Sequence, residues 1–300
     1  KRMAVYAGMI EAMDASIARL MAYLDGQGQL ENTIFIFTSD NGAEGSGAQD
    51  PQSAAASSTA TSLGYNMDYE TLGLKGSFNT INPGFTSAAV GPLSYYKFYA
   101  GEGGLRVPLI ISGNPLSTTI EQTNAFAWAT DVAATILAFA GVSEPAGRFA
   151  GKPVLPVTGK NLSPLLSGEA ERVYTETDSV GYELTGHAAL FQGDFKIVRN
   201  LPPLGDGEWR LYNTAADPGE VEDLKTEMPE RYEAMLAAYA EFANDNKVFP
   251  IPTGYSQTRQ LVTNMLRDRL GPSLLVFLLT LLLLIPFIVY VRTRRTTPRS

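Results

Sequence analysis

Asp40 and Asn41 stand side by side in TSDNGAEG, directly after the apolar and β-branched run Thr33–Ser39. A carboxylate next to a carboxamide oxygen suits a hard divalent cation such as calcium. Gly42 lets the chain turn away without covering the oxygens. The same residues also suit an Asx-type turn with no metal. A second set lies in YYKFYAGEGGLRVPLI, where Lys97 precedes Gly103 and Gly104. An ammonium held near a metal could bind the oxygens of a tetrahedral anion and stabilise charge that develops during group transfer. A solvated lysine ahead of a glycine bend is the competing reading. Glu102 is placed to help orient Lys97. His187, the single imidazole, reads as a structural or exposed residue, and Lys75 as a solvated loop lysine.

The elements that must position these residues follow from periodicity. Met9, Met13, Ile17, Leu20, Met21 and Leu24 recur every three or four residues and predict one helix face, closed by Gly26 and Gly28. The unbroken run Thr33–Ser39 predicts a strand covered on both faces in a parallel sheet. Ligands of open α/β sheets gather beyond the carboxyl ends of such strands, which is where Asp40 falls. A Gly-, Ser-, Ala- and Asn-rich stretch from Gly42 to about Ser94 predicts a functional loop or a disordered insert. Leu105–Ser112 resumes the strand pattern, with Pro108 favouring an edge or bulge position. Thr130 or Asp131 is expected to cap a helix that runs to Ala140 and is closed by Gly141.

A proline-containing stretch, 144–170, reads as a connection to a smaller module over 171–248. Short strands are expected at 173–175, 188–191, 195–198 and 209–212, with Gln192-Gly193-Asp194 as a hairpin turn. A helix from near Pro229 toward Asn246 gathers Tyr232, Met235, Leu236, Tyr239 and Phe242 on one face. The predicted architecture is α/β over 1–143, then a small α+β module whose sheet is antiparallel.

With 45% hydrophobic residues the chain can bury a core. Its net charge of -8 excludes a nucleic-acid partner. The absence of cysteine excludes disulfides and thiolate chemistry within the chain. Leu270–Val291 is a run of 22 residues without a charge. That is long enough for a helix to cross a hydrocarbon core of about 30 Å, so one transmembrane helix is expected, preceded by a stalk over 249–269. Arg292, Arg294, Arg295 and Arg299 in the tail 292–300 predict a cytoplasmic C-terminus and an outward-facing soluble part, periplasmic or extracellular. The opening KRMAVYAG is neither a signal peptide nor a natural domain start, and reads as a cut edge.

In order, the helix, SDNGAEG, the long insert, YYKFYAGEGGLRVP, ATDVAATILAFAGV and LYNTAADPGEVEDL resemble the C-terminal part of the sulfatase family, bacterial arylsulfatases in particular, within the alkaline-phosphatase-like superfamily. The resemblance runs from about Tyr6 to Asn246. It implies a sheet sandwiched by helices, Asp40 and Asn41 as calcium ligands and Lys97 as a sulfate-binding catalytic residue. It assigns Asp217 to a structural turn. The family nucleophile, a formylglycine made from a C/S-x-P-x-R motif, has no counterpart in this chain. That motif and the paired aspartates of the metal site are expected upstream, so the chain alone is expected to be inactive. The implied activity is calcium-assisted hydrolysis of a sulfate ester by a membrane-anchored protein. The rivals are a phosphonate or phosphodiester hydrolase of the same superfamily and a non-catalytic anchored homologue.

Overall fold

The computed structural model describes residues 1–45, 60–113, 116, 122–145 and 147–257, with scattered positions beyond as far as 285. Helix α1 (Arg2–Gly26) forms as its periodicity predicts. Its first turn is fastened to the following loop, since the Lys1 ammonium donates to the carbonyls of Tyr69 and Glu70, and Arg2 to that of Thr80. The apolar face is a different matter. Met9, Met13, Leu20 and Met21 are all exposed, and no residue of the helix is buried.

Strands β1 (Phe35–Thr38) and β2 (Leu109–Ser112) pair with each other in a two-stranded sheet, Phe35 opposite Ser112 and Thr38 opposite Leu109. The pairing is antiparallel, which corrects the expected parallel strand. β1 is half-buried at best and Ile110 is 56% exposed, so neither strand is covered on both faces. A continuous apolar run reports what a strand can bury, but it does not specify its neighbour's direction. The strand expected over Leu105–Ser112 is shorter than predicted: Leu105 ends a helical turn, and Pro108 lies just before β2, outside the strand and not at an edge or bulge position within it.

Helix α2 (Asn82–Val90), the single turn α3 (Glu102–Leu105) and helix α4 (Ala129–Phe139) follow. α4 begins one residue ahead of the expected cap. Asp131 lies in its first turn and reaches back, accepting the Trp128 N–H at 2.6 Å. It also accepts the Lys160 N–H at 2.7 Å and the Tyr174 hydroxyl at 2.6 Å, which explains a fully buried carboxylate. Burial and that hydrogen bond push the Tyr174 phenol well above its usual range, so it remains a donor. A two-residue hairpin, β3 (Arg148–Phe149) with β4 (Lys152–Pro153), and a short helix α5 (Ser163–Leu166) bridge to the next sheet.

That sheet has four antiparallel strands in sequence order: β5 (Ser179–Leu184), β6 (His187–Gln192), β7 (Phe195–Arg199) and β8 (Trp209–Asn213). Gly193, at φ 59°, and Asp194 make the expected tight turn between β6 and β7. Residues 173–175 are not a strand, and the edge strand is β5 instead.

Period-two alternation divides the sheet. Ala188, Leu190, Ile197 and Leu211 face helix α6 (Pro229–Asp245), meeting Met235 and Tyr239. Ala189, Phe191, Val198 and Tyr212 face the other way and pack on Ala100, with Phe126 and Trp128 alongside. Helix α6 thus follows its predicted face, while the opposite face supports the loop that carries Lys97.

Among the described residues no helix is long and apolar enough to cross a membrane, so the expected transmembrane helix is not observed. Most of 270–291 lies outside the described residues, as does 292–300. Residues 1–250 form one compact unit and 251–300 a second.

Met235 is fully buried whereas Met9 is 61% exposed. Met235→Ala is therefore expected to lower unfolding free energy by about 3 kcal/mol, and Met9→Ala by less than about 0.5 kcal/mol. Urea denaturation of the two variants beside the parent measures both.

Candidate functional site

Asp40 and Asn41 follow β1 at its carboxyl end, and the chain then turns under the loop of Lys97. Two backbone hydrogen bonds hold the segments together: the Gly42 N–H donates to the Gly104 carbonyl at 2.9 Å, and the Lys97 N–H to the Ala43 carbonyl at 3.1 Å. Glycine is required at the contact. A Cβ on Gly42 would collide with the carbonyl of Gly103, and a Cβ on Gly103 or Gly104 would strike the carbonyls of Tyr95 or Tyr99. The glycines therefore do more than permit a bend. They let one backbone lie against another, which brings the two sequence-predicted sets together.

Asp40 is exposed and Asn41 is half-buried. Ser39 donates its hydroxyl to the Asn41 carbonyl at 2.8 Å, fixing the turn. Among the described residues Asp40 makes no ion pair, which leaves its carboxylate accessible. Calcium takes about six to eight oxygen ligands. No group of three His, Cys, Asp or Glu side chains among the described residues could hold a metal ion. Asp40 and Asn41 have the right donor chemistry for a hard cation and supply part of such a site. A cysteine-derived nucleophile does not fit, because the chain has no cysteine and no S-x-P-x-R segment.

The Lys97 ammonium pairs with Glu44 at 2.9 Å, with both side chains partly exposed, and lies 5.5 Å from the Phe98 ring centroid. Its partner is thus Glu44, within TSDNGAEG itself, and not Glu102. Exposed pairs of this kind contribute little to stability, so an arriving anion can compete for the ammonium at low cost.

Glu102 belongs to a buried charge cluster that the sequence reading missed. The Lys196 ammonium, on β7, lies 2.9 Å from Glu102 Oε1 and 2.7 Å from Glu220 Oε1, and all three side chains are at most 3% exposed. Glu220 Oε2 accepts the Glu102 N–H at 2.9 Å, and Arg106 donates to Glu102 Oε2 at 2.7 Å. Burial alone would lift the Glu102 carboxyl. Lys196 and Arg106 outweigh it and hold the carboxyl below the usual carboxylate range. The available signal was a lysine flanked by Phe195 and Ile197 on a strand, which alternation reads as solvent-facing unless a loop covers that side.

His187 is fully buried; its Nδ1 accepts the Leu201 N–H at 3.1 Å and its ring meets Tyr99 edge-on. It is structural, as expected, and Lys75 is exposed. Asp217 caps its own turn by accepting the N–H groups of Val221 and Glu222. A cleft lined by Ser94, Tyr95, Tyr96, Asp206, Arg210 and Tyr212 abuts the loop, but Lys97, Asp40 and Asn41 do not line it.

The described residues thus make a mixed α/β chain in which the candidate residues lie on adjoining loops beyond a strand's carboxyl end. The chain matches the sulfatase family model over residues 1–142, which supports a sulfatase-family protein. It is 33% identical over 258 residues to an uncharacterized sulfatase of Schizosaccharomyces pombe (strain 972), covering 85% of this chain and 46% of that protein. It is 36% identical over 169 residues to an arylsulfatase of Klebsiella aerogenes, covering 55% of this chain and 35% of that protein. Among solved structures, Ps i-CgsB in complex with k-i-k-neocarrahexaose shares the fold with a TM-score of 0.58 and 20% identity, over 88% of this chain and 47% of that one. The chain spans less than half the length of each of these proteins.

Because the Glu102 carboxyl is held low in the folded state, its contribution to stability is full above the unfolded carboxyl range, near pH 4.3 or about that. It is lost as pH falls through the lower folded value. The stability gap between the parent and Glu102→Gln is expected to be widest near neutrality and to close on acidification. Urea midpoints collected across that range check the sign.

Proposed function

We propose that this chain forms the C-terminal portion of a sulfuric ester hydrolase and supplies Asp40 and Asn41 to a calcium site and Lys97 to the sulfate. The carrying observation is the backbone seam between Gly42 and Gly104, which sets a hard-oxygen pair and an ammonium on adjoining loops within the family segment. Calcium, when bound, would supply positive charge at the ester's oxygens. Asp40 contributes a carboxylate and Asn41 a carboxamide oxygen to hold it. Lys97 exchanges its contact with Glu44 for a sulfate oxygen and stabilises the charge that grows as the ester bond breaks. The remaining metal ligands and the nucleophile belong to the longer protein, so no step through them is derived from this chain.

We further read 270–291 as a membrane anchor, with the soluble part outside the cytoplasm. Its support is the uncharged run itself, in which Val276, Leu279, Leu282, Leu284 and Ile285 present exposed apolar side chains. Recovery of the intact protein wholly in the soluble fraction would contradict that assignment.

In the longer protein, Asp40→Ala and Lys97→Ala are each expected to lower turnover of an aryl sulfate by roughly a hundredfold or more. Added calcium should restore neither. Parental turnover in either variant would overturn the corresponding role. Faster hydrolysis of an aryl phosphodiester than of the aryl sulfate would reassign the substrate class to phosphodiesters.

A further inference from the structure

The buried cluster of Lys196, Glu102, Glu220 and Arg106 is not used by the chemistry proposed above, yet it lies beneath the loop that supplies Lys97. Alternation along β7 turns Ile197 toward α6 and sends Lys196 to the opposite face, where its ammonium passes over the Phe191 ring at 4.9 Å. There it meets two carboxylates from separate parts of the chain. Glu102 comes from the single turn α3, and Glu220 from the Asp217 turn, where it is held at φ 54°. Two acids and two bases make the cluster neutral overall, and every charged group in it has an opposite partner within 2.9 Å.

Further bonds fix the loop in the same place. The Ala100 N–H donates to Asn200 Oδ1 at 2.7 Å, the Gly103 N–H to the Ser94 carbonyl at 2.7 Å, and the Ser94 hydroxyl to the Gly219 carbonyl at 2.5 Å. Arg106 also reaches the Thr214 carbonyl at 3.3 Å. The α3 turn therefore has little freedom to shift relative to the four-stranded sheet. It carries the Gly104 carbonyl, which receives the Gly42 N–H beside Asn41.

We infer that Lys196 is a positioning residue: through Glu102 and Glu220 it fixes the α3 turn, and so sets where the Asp40–Asn41 loop and the Lys97 loop meet. The inference rests on the functional reading only for what the two loops do. The clamp itself is a statement about geometry and can be tested separately. Lys196 acts at a distance, touching neither Lys97 nor Asp40. A buried ion pair that loses one member leaves an uncompensated charge, and the turn bearing that charge must move to reach water.

The test is site-resolved amide hydrogen exchange on the chain as it stands, comparing the parent with Lys196→Met and with Glu220→Gln. Glu220→Gln keeps the side-chain shape and an oxygen acceptor while removing one charge, so it reports even where Lys196→Met does not fold. Exchange at the Gly42, Lys97 and Gly103 amides is expected to quicken by about tenfold or more, while the amides of α6 and of the β5–β6 ladder keep parental protection. A merely stabilising role would instead lower protection across α6 and the sheet together. Parental exchange at Gly42 and Gly103 in Glu220→Gln overturns the inference, and so does a uniform loss throughout that variant.

Repeating the exchange with and without calcium chloride in the longer protein, which under the proposed reading carries the remaining metal ligands, separates the two readings. Slower exchange at Gly42 supports the metal role of the adjoining Asp40 and Asn41. No calcium response, with the variants still loosening the seam, removes the metal reading and leaves the clamp in place.

Discussion

Gly42 and the Gly103–Gly104 pair meet backbone to backbone, and the candidate site is a consequence of that meeting. A side chain on any of the three would occupy space already filled by a carbonyl, so no rotamer could relieve the collision. Once the two strips touch, their peptide groups satisfy each other with hydrogen bonds, and the residues just before and after the contact acquire fixed neighbours. Asp40 and Asn41 emerge on one side and Lys97 on the other. Neither loop is regular structure, so their relative placement comes from close approach and not from a shared helix or strand.

Such a seam needs an anchor, because loops without one fray. The four-stranded sheet provides it through both of its faces. One face is an ordinary apolar interface with α6, where the Gly181 position lies so close to the Phe242 ring that a Cβ would overlap it. The other mixes apolar contacts at Ala100, Phe191 and Val198 with a buried ammonium and two carboxylates. Burying these charges is tolerable because each is paired and hydrogen-bonded. An apolar patch would hold the loop without fixing its register. Directional bonds to Glu102 and Glu220 do both.

Elements with a strong local signal were legible in the sequence. The spacing of Tyr232, Met235, Tyr239 and Phe242 marked α6, and Gly193-Asp194 marked the hairpin, because helix period and turn chemistry act over a few residues. The ordered motifs around Asp40 and Lys97 were legible for a different reason: their types and succession resemble a family. What the sequence did not reveal depends on contacts between distant segments. The antiparallel pairing of β1 with β2 is one such contact. The partnership of Lys97 with Glu44 is another, since proximity along the chain favoured Glu102. Lys196 was hidden because a lysine on an alternating strand ordinarily faces water, and only the loop folded over that face makes it an interior residue.

The two-stranded β1–β2 ribbon has one further consequence. Among the described residues each strand has a single neighbour, so both outer margins keep a row of backbone donors and acceptors unspoken for by another strand. The side chains there are apolar and β-branched, including Ile36, Ile110 and Ile111, with no lysine or proline within either strand to discourage a visitor. A ribbon of this composition is a template for strand addition. Extended backbone from a second molecule would meet donors and acceptors already aligned at those margins.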